Sequence, residues 1–194
     1  MPLWFKSRRF SAVIIPSLAL FIVIVVLGYG ESIVLPGMLS SGSNRVQLMH
    51  IAPLIVTSSL SYSLTQRLVE AEILSVRKVR WFDTGLVVLT VGIAVSASFG
   101  VGEWMGSQEA IEAGRNTIFL TGLMLIAGAL HAQAAPLAPI GWVFIVTFIG
   151  YRDFGRPWPW AVTLHPAGLA VTYFFCLTVF AVGLVMNYRI HRSV

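Results

Sequence analysis

Gln66–Asp83, QRLVEAEILSVRKVRWFD, is the only stretch of any length in this chain with dense charge. It carries Arg67, Glu70, Glu72, Arg77, Lys78, Arg80 and Asp83, and long apolar runs lie on either side of it. At helical spacing Val69, Ile73 and Val76 share one face, while Arg67, Glu70, Arg77 and Arg80 lie mostly elsewhere. Neither glycine nor proline interrupts the pattern, unlike an ordinary short loop. The reading is an amphipathic helix over 66–83 at a membrane face, joining two spans. Trp81 and Phe82 sit at the boundary where aromatic rings settle.

Composition agrees with that reading. Of 194 residues, 57% are hydrophobic and 11% charged, well under the quarter or so typical of soluble domains. The class is an integral membrane protein, all-α, built as a polytopic helical bundle in one domain, 1–194. The net charge of +5 does not argue for nucleic acid, because the basic residues are not gathered on one soluble face. The lone Cys176 excludes a disulfide within the chain and reads as a small buried hydrophobe.

A spanning helix needs about 20 apolar residues. Six stretches qualify or nearly so: about 11–29, 46–65, 84–101, 116–133, 137–151 and 166–188. The fifth is short, with Pro136, Pro139 and Gly141 crowding its start. No A-x-A-like cleavage site follows the first run, so it reads as a retained helix. The leader MPLWFKSRRF, residues 1–10, mixes aromatics with three cations and suits an interfacial elbow on the cytoplasmic surface.

Orientation follows from the basic residues. With both termini in the cytoplasm and six transmembrane helices, nine fall inside: Lys6, Arg8, Arg9, Arg67, Arg77, Lys78, Arg80, Arg189 and Arg192. Four fall outside: Arg45, Arg115, Arg152 and Arg156. A five-span arrangement leaves seven against six and destroys the bias. Of the outer segments, 31–44 is a Gly/Ser/Pro-rich loop, and 103–115 suits a short helix on the outer surface. The third, 151–165, is dense in aromatics and proline.

Catalytic signatures are missing. There is no GxxxxGK[ST], HExxH or GxSxG pattern. His50, His131, His165 and His191 are scattered near span ends, and the acidic residues all fall in loops or at span boundaries. The expectation is no enzyme activity, no catalytic residue, no metal site and no cofactor in this chain. The apolar spans, without charge inside them, lean towards a hydrophobic or amphipathic cargo.

Two features within the spans stand out. Ser58, Ser61, Tyr62 and Thr65 share a face of the second span. They either line a polar path or subunit interface, or make ordinary hydrogen bonds between helices. Gly92, Ser96 and Gly100 recur at intervals of four in the third span, a small-residue seam for close helix packing within the subunit or across a dimer.

The order of these parts resembles the transmembrane (permease) subunit of a small six-helix ABC transporter with the exporter-type-2 fold. The resemblance rests on the elbow MPLWFKSRRF and on EAEILSVRKVRWFD just before the third span. It rests also on the broken aromatic segment RDFGRPWPWAVTLHP between the last two spans. It covers most of the chain as architecture, and the chain departs from it in a short first outer loop and a short fifth span.

The resemblance implies that 66–83 is a coupling-type helix gripped by a separate ATP-binding subunit. Arg67, Glu70, Glu72, Arg77, Lys78, Arg80 and Trp81 would make that contact. It implies ATP and Mg on the partner only, a second permease copy or sibling beside this chain, and a multi-pass place in the plasma membrane (a bacterial inner membrane). The alternative from another class is a non-transporting scaffold or accessory subunit. A lipid-modifying enzyme would need matched polar residues around a cavity, and the sequence offers none.

Overall fold

The computed structural model describes residues 10–28, 32–36, 43–65, 78–152 and 156–190. Six α-helices account for most of them: α1 (Ile15–Leu27), α2 (Pro53–Thr65), α3 (Lys78–Met105), α4 (Gln108–Leu130), α5 (Ala134–Ile149) and α6 (Ala170–Ile190). Each apolar stretch of the sequence coincides with one helix, with shifted ends. Three helices are long and apolar enough to cross a membrane, over Trp81–Met105, Gln108–Leu130 and Ala170–Arg189. Ala12–Leu27 and Ala134–Ile149 are shorter apolar helices.

One segment is not the loop that its composition suggests. Within 31–44, Ser32–Pro36 forms β1, which pairs antiparallel with β2 (Ser43–Gln47), Ile33 opposite Val46 and Leu35 opposite Asn44. The β-branched pair Ile33 and Val34 suits an extended backbone. Residues 43–47 are therefore strand, and α2 begins at Pro53 after a single 3-10 turn, Leu48–His50.

The charged stretch divides. Residues 66–77 lie outside the described residues, as do 1–9 of the proposed elbow. Lys78–Asp83 is the first part of α3, a continuous helix of 28 residues, about 42 Å long. At its start Trp81 meets the Tyr188 ring of α6 edge-on, with centroids 6.1 Å apart. The beginning of α3 and the end of α6 thus share one end of the bundle.

The α3–α4 junction shows why the chain turns there. Gly106 has φ +64°, a left-handed conformation that glycine adopts without a Cβ clash. The Ser107 N–H then donates to the Gly102 carbonyl at 2.9 Å, which closes α3. The Ser107 hydroxyl in turn accepts from the Ala110 N–H at 3.2 Å and caps α4.

The buried apolar residues form two clusters. One joins α1, α2, α3 and α4 through Phe21, Leu60, Val87 and Met124. The other holds Phe119, Leu120, Val162 and Cys176, from α4, the segment before α6, and α6. Helix α4 belongs to both clusters and is the central helix. Its most extensive partner is α6. Gly122 of α4 and Gly183 of α6 bring those backbones together: a Cβ on Gly122 would stand 2.7 Å from the Phe180 nitrogen.

Candidate functional site

The chemistry-bearing residues converge at the first turns of α4, where it meets the segment leading into α6. Ser107 caps α4, which runs through Gly114 without interruption, so Glu109, Glu112, Arg115 and Asn116 are helical rather than part of a surface loop. This corrects two expectations. Residues 103–115 are not a separate outer helix, because Glu103–Met105 ends α3 and Gln108–Arg115 begins α4. Nor does Arg115 belong to an outer loop: it and Glu112 are buried in the first turns of α4, ahead of its apolar run.

Arg115 is fully buried, at 0% exposure, and is the largest of the fully buried side chains among the described residues. Its guanidinium donates to neutral oxygens. Nε and one terminal nitrogen reach Asn116 Oδ1 at 3.4 and 3.2 Å. The same terminal nitrogen also reaches the Thr163 carbonyl at 3.4 Å. The other reaches the Pro166 carbonyl and Thr172 Oγ1, each at 3.3 Å. The Tyr173 ring lies beneath, its centroid 5.9 Å from Arg115 Cζ.

Neighbouring groups complete the network. Asn116 Nδ2 donates to the Thr163 carbonyl at 3.0 Å. Glu112 Oε1 accepts from the Ala167 N–H at 3.2 Å. From α5, Trp142 Nε1 donates to Thr163 Oγ1 at 3.4 Å. Thr172, whose hydroxyl accepts from Arg115, donates its own O–H to the Leu169 carbonyl at 2.6 Å. Aromatic rings roof the network: Phe119 lies 5.0 Å from Trp142 and 6.1 Å from Phe175, and Trp142 lies 6.1 Å from Trp160.

A buried guanidinium is costly unless its donors are occupied and its charge is offset. The first condition is met here, since backbone carbonyls and side-chain oxygens take the donors, and Glu112 lies one turn earlier on the same helix. The chemistry of this arrangement is anchoring. It fastens residues 163–172 to α4 through one charged fork. Among the described residues, no group of three or more His, Cys, Asp or Glu stands close enough to hold a metal ion.

The residues singled out by sequence lie elsewhere. Arg67, Glu70, Glu72 and Arg77 fall outside the described residues. Lys78 and Arg80 open α3, and Trp81 is 71% exposed beyond its Tyr188 contact. On α2, Ser61 is buried, whereas Ser58, Tyr62 and Thr65 are exposed; the Thr65 hydroxyl folds back to the Ser61 carbonyl. The polar residues of α2 that face the bundle are Thr57, Ser59, Ser61 and Ser63. Ser59 stands 2.8 Å from Ser17 of α1, hydroxyl to hydroxyl.

Gly92, Ser96 and Gly100 form an outward face of α3: all three are exposed, and a Cβ on either glycine would meet nothing within 4 Å. Among the described residues, close helix approaches are made by Gly122 and Gly183 between α4 and α6, and by Gly114 of α4, where a Cβ would stand 2.9 Å from Ser98 Cβ of α3.

Comparison with known proteins returns no match: no protein-family model fits the chain, and no curated protein or solved structure resembles it significantly.

Proposed function

We propose that this chain is the membrane-spanning subunit of an ATP-driven transporter, driven through the 66–83 segment by a separate ATP-binding protein. In this reading six helices span the plasma membrane with both ends in the cytoplasm, and a second copy or sibling completes the translocation path. The observation that carries it is the continuity of α3. Lys78, Arg80 and Trp81 belong to the same rigid 28-residue helix that runs through the bundle to Met105. A tilt imposed on its charged end is therefore delivered to the far end without an intervening hinge. The Trp81–Tyr188 contact ties that end to the close of α6, so the push is shared by two helices.

In the proposed orientation the basic residues sort to one side: with Arg115 buried in α4, only Arg45, Arg152 and Arg156 would remain in the outer segments. The outward Gly92–Ser96–Gly100 face offers a surface for the second copy, and serves equally the alternative of a non-transporting scaffold.

The test is affinity purification of the tagged chain from native membranes in mild detergent, with mass spectrometry of what accompanies it. An ATPase should be recovered with the wild type and lost when Glu70, Glu72 and Arg77 are replaced by alanine. In reconstituted vesicles, Glu72→Arg with Arg77→Glu should leave ATP hydrolysis running without transport. Recovery of membrane proteins but no ATPase would move the assignment to a scaffold.

A further inference from the structure

We infer that residues 157–169 form a latched strap over the junction of α4, α5 and α6, that Arg115 is the latch, and that the strap opens as a unit while the helices stay packed. The strap is a folded piece in its own right. Tyr151 and Pro157 pair as an isolated bridge, and the Trp158 N–H donates to the Gly150 carbonyl at 2.9 Å. A 3-10 turn, Val162–Leu164, follows. The remaining backbone bonds run between near neighbours, such as Ala161 to Trp158 and Leu169 to Pro166. Few of its bonds to the helices are backbone to backbone, so side chains hold it down.

Those side chains are few and concentrated. Arg115 takes the Thr163 and Pro166 carbonyls, Asn116 takes the Thr163 carbonyl again, Glu112 takes the Ala167 N–H, and Trp142 takes Thr163 Oγ1. Three of the four are consecutive or nearly so on one face of α4. Removing the guanidinium therefore loosens both ends of the 163–166 turn at once. The helices beneath have their own hold on each other, through the Gly122–Gly183 approach and the cluster around Phe21 and Leu60.

The protein carries its own reporter of this opening. Its single cysteine, Cys176, is fully buried in the same apolar cluster as Val162 of the strap. A thiol reagent reaches Cys176 when Val162 lifts. When reclosing is faster than labelling, the labelling rate follows the open fraction.

The experiment is labelling of the full chain in open membranes with a small neutral maleimide, comparing wild type, Arg115→Gln and Asn116→Ala. Wild type should label slowly. Each charge-assisted bond removed changes the open fraction by about tenfold, so Arg115→Gln should label at least about tenfold faster and Asn116→Ala by a smaller factor. A second reporter, Ala94→Cys in a Cys176→Ala background, sits fully buried in the other cluster, and its labelling should not change with Arg115→Gln. Unchanged labelling of Cys176 in both variants overturns the latch. Equal acceleration at both reporters overturns it as well, since Arg115 would then hold the whole fold. If Arg115→Gln does not accumulate, Asn116→Ala alone decides between these outcomes.

Discussion

Replacing Gly122 by alanine should separate the two most extensively packed helices of this protein. A Cβ at that position lies 2.7 Å from both the nitrogen and Cα of Phe180 and 2.8 Å from the carbonyl carbon of Val179. These are backbone atoms of α6, which cannot rotate aside as a side chain can. Restoring ordinary contact at about 3.5–4.0 Å requires α4 and α6 to part by roughly 1 Å. Gly183 faces the same strip, with the Gly122 carbonyl oxygen 2.7 Å from its own Cβ position, so the gap opens along the seam. Overpacking of this kind costs about 1–3 kcal/mol, and the rigidity of the obstacle places it near the upper end. Alanine returns about 1 kcal/mol of helix propensity, which leaves a net loss of about 2 kcal/mol. At 2–4 °C per kcal/mol for a chain of this size, the thermal midpoint should fall by roughly 4–8 °C. The assay is thermal unfolding of purified protein in detergent, with Gly141→Ala as the control. Gly141 lies inside α5 and a Cβ there meets nothing within 4 Å, so that variant should match wild type or gain up to about 1 kcal/mol. Equal midpoints for the two variants would refute the reasoning.

Two smaller effects follow from the same geometry. The Ser17–Ser59 hydrogen bond links α1 to α2, and a double-mutant cycle with Ser17→Ala and Ser59→Ala should give a coupling of about 0.6 kcal/mol; zero coupling would mean that the two hydroxyls do not depend on each other. Gly106→Ala forces a side chain into left-handed backbone at φ +64° and should cost about 1–2 kcal/mol. Gly106→Asn should cost less, because asparagine tolerates that region, so equal losses in chemical denaturation would count against the assigned turn.

The six helices were legible because each apolar run is long enough to bury its backbone polar groups only by coiling. The strands were not, since five-residue pairings flanked by serine and glycine carry the same composition as a loop. Arg115 was misjudged because arginine beside an apolar run reads as the end of a span. A better signal was present in the chain. Ser107 is a strong cap, Glu109 lies in the first turn where a helix favours negative charge, and Glu112 precedes Arg115 by one turn. Together these start the helix eight residues before Asn116 and carry both charges into it. The acceptors that make burial affordable could not be read, because Thr163, Pro166 and Thr172 lie about fifty residues away. The glycine seam was legible only in part. Regular spacing shows that a helix has a smooth face, but not which neighbour uses it.

The unequal helix lengths have a consequence for the surrounding lipid. Helix α3 is about 42 Å long and α5, at 16 residues, about 24 Å, while hydrocarbon thickness averages about 30 Å. Leu137, Phe144, Ile145 and Ile149 expose apolar side chains on the short helix, and Val88, Leu89 and Ile93 on the long one. In the proposed membrane setting a bilayer would have to thin beside α5, at fractions of a kcal/mol per ångström, while α3, whose first turns Lys78–Asp83 are charged, would meet ordinary thickness over the apolar run that follows. Acyl-chain length would thereby become a lateral force on the molecule, one applied at the α5 flank.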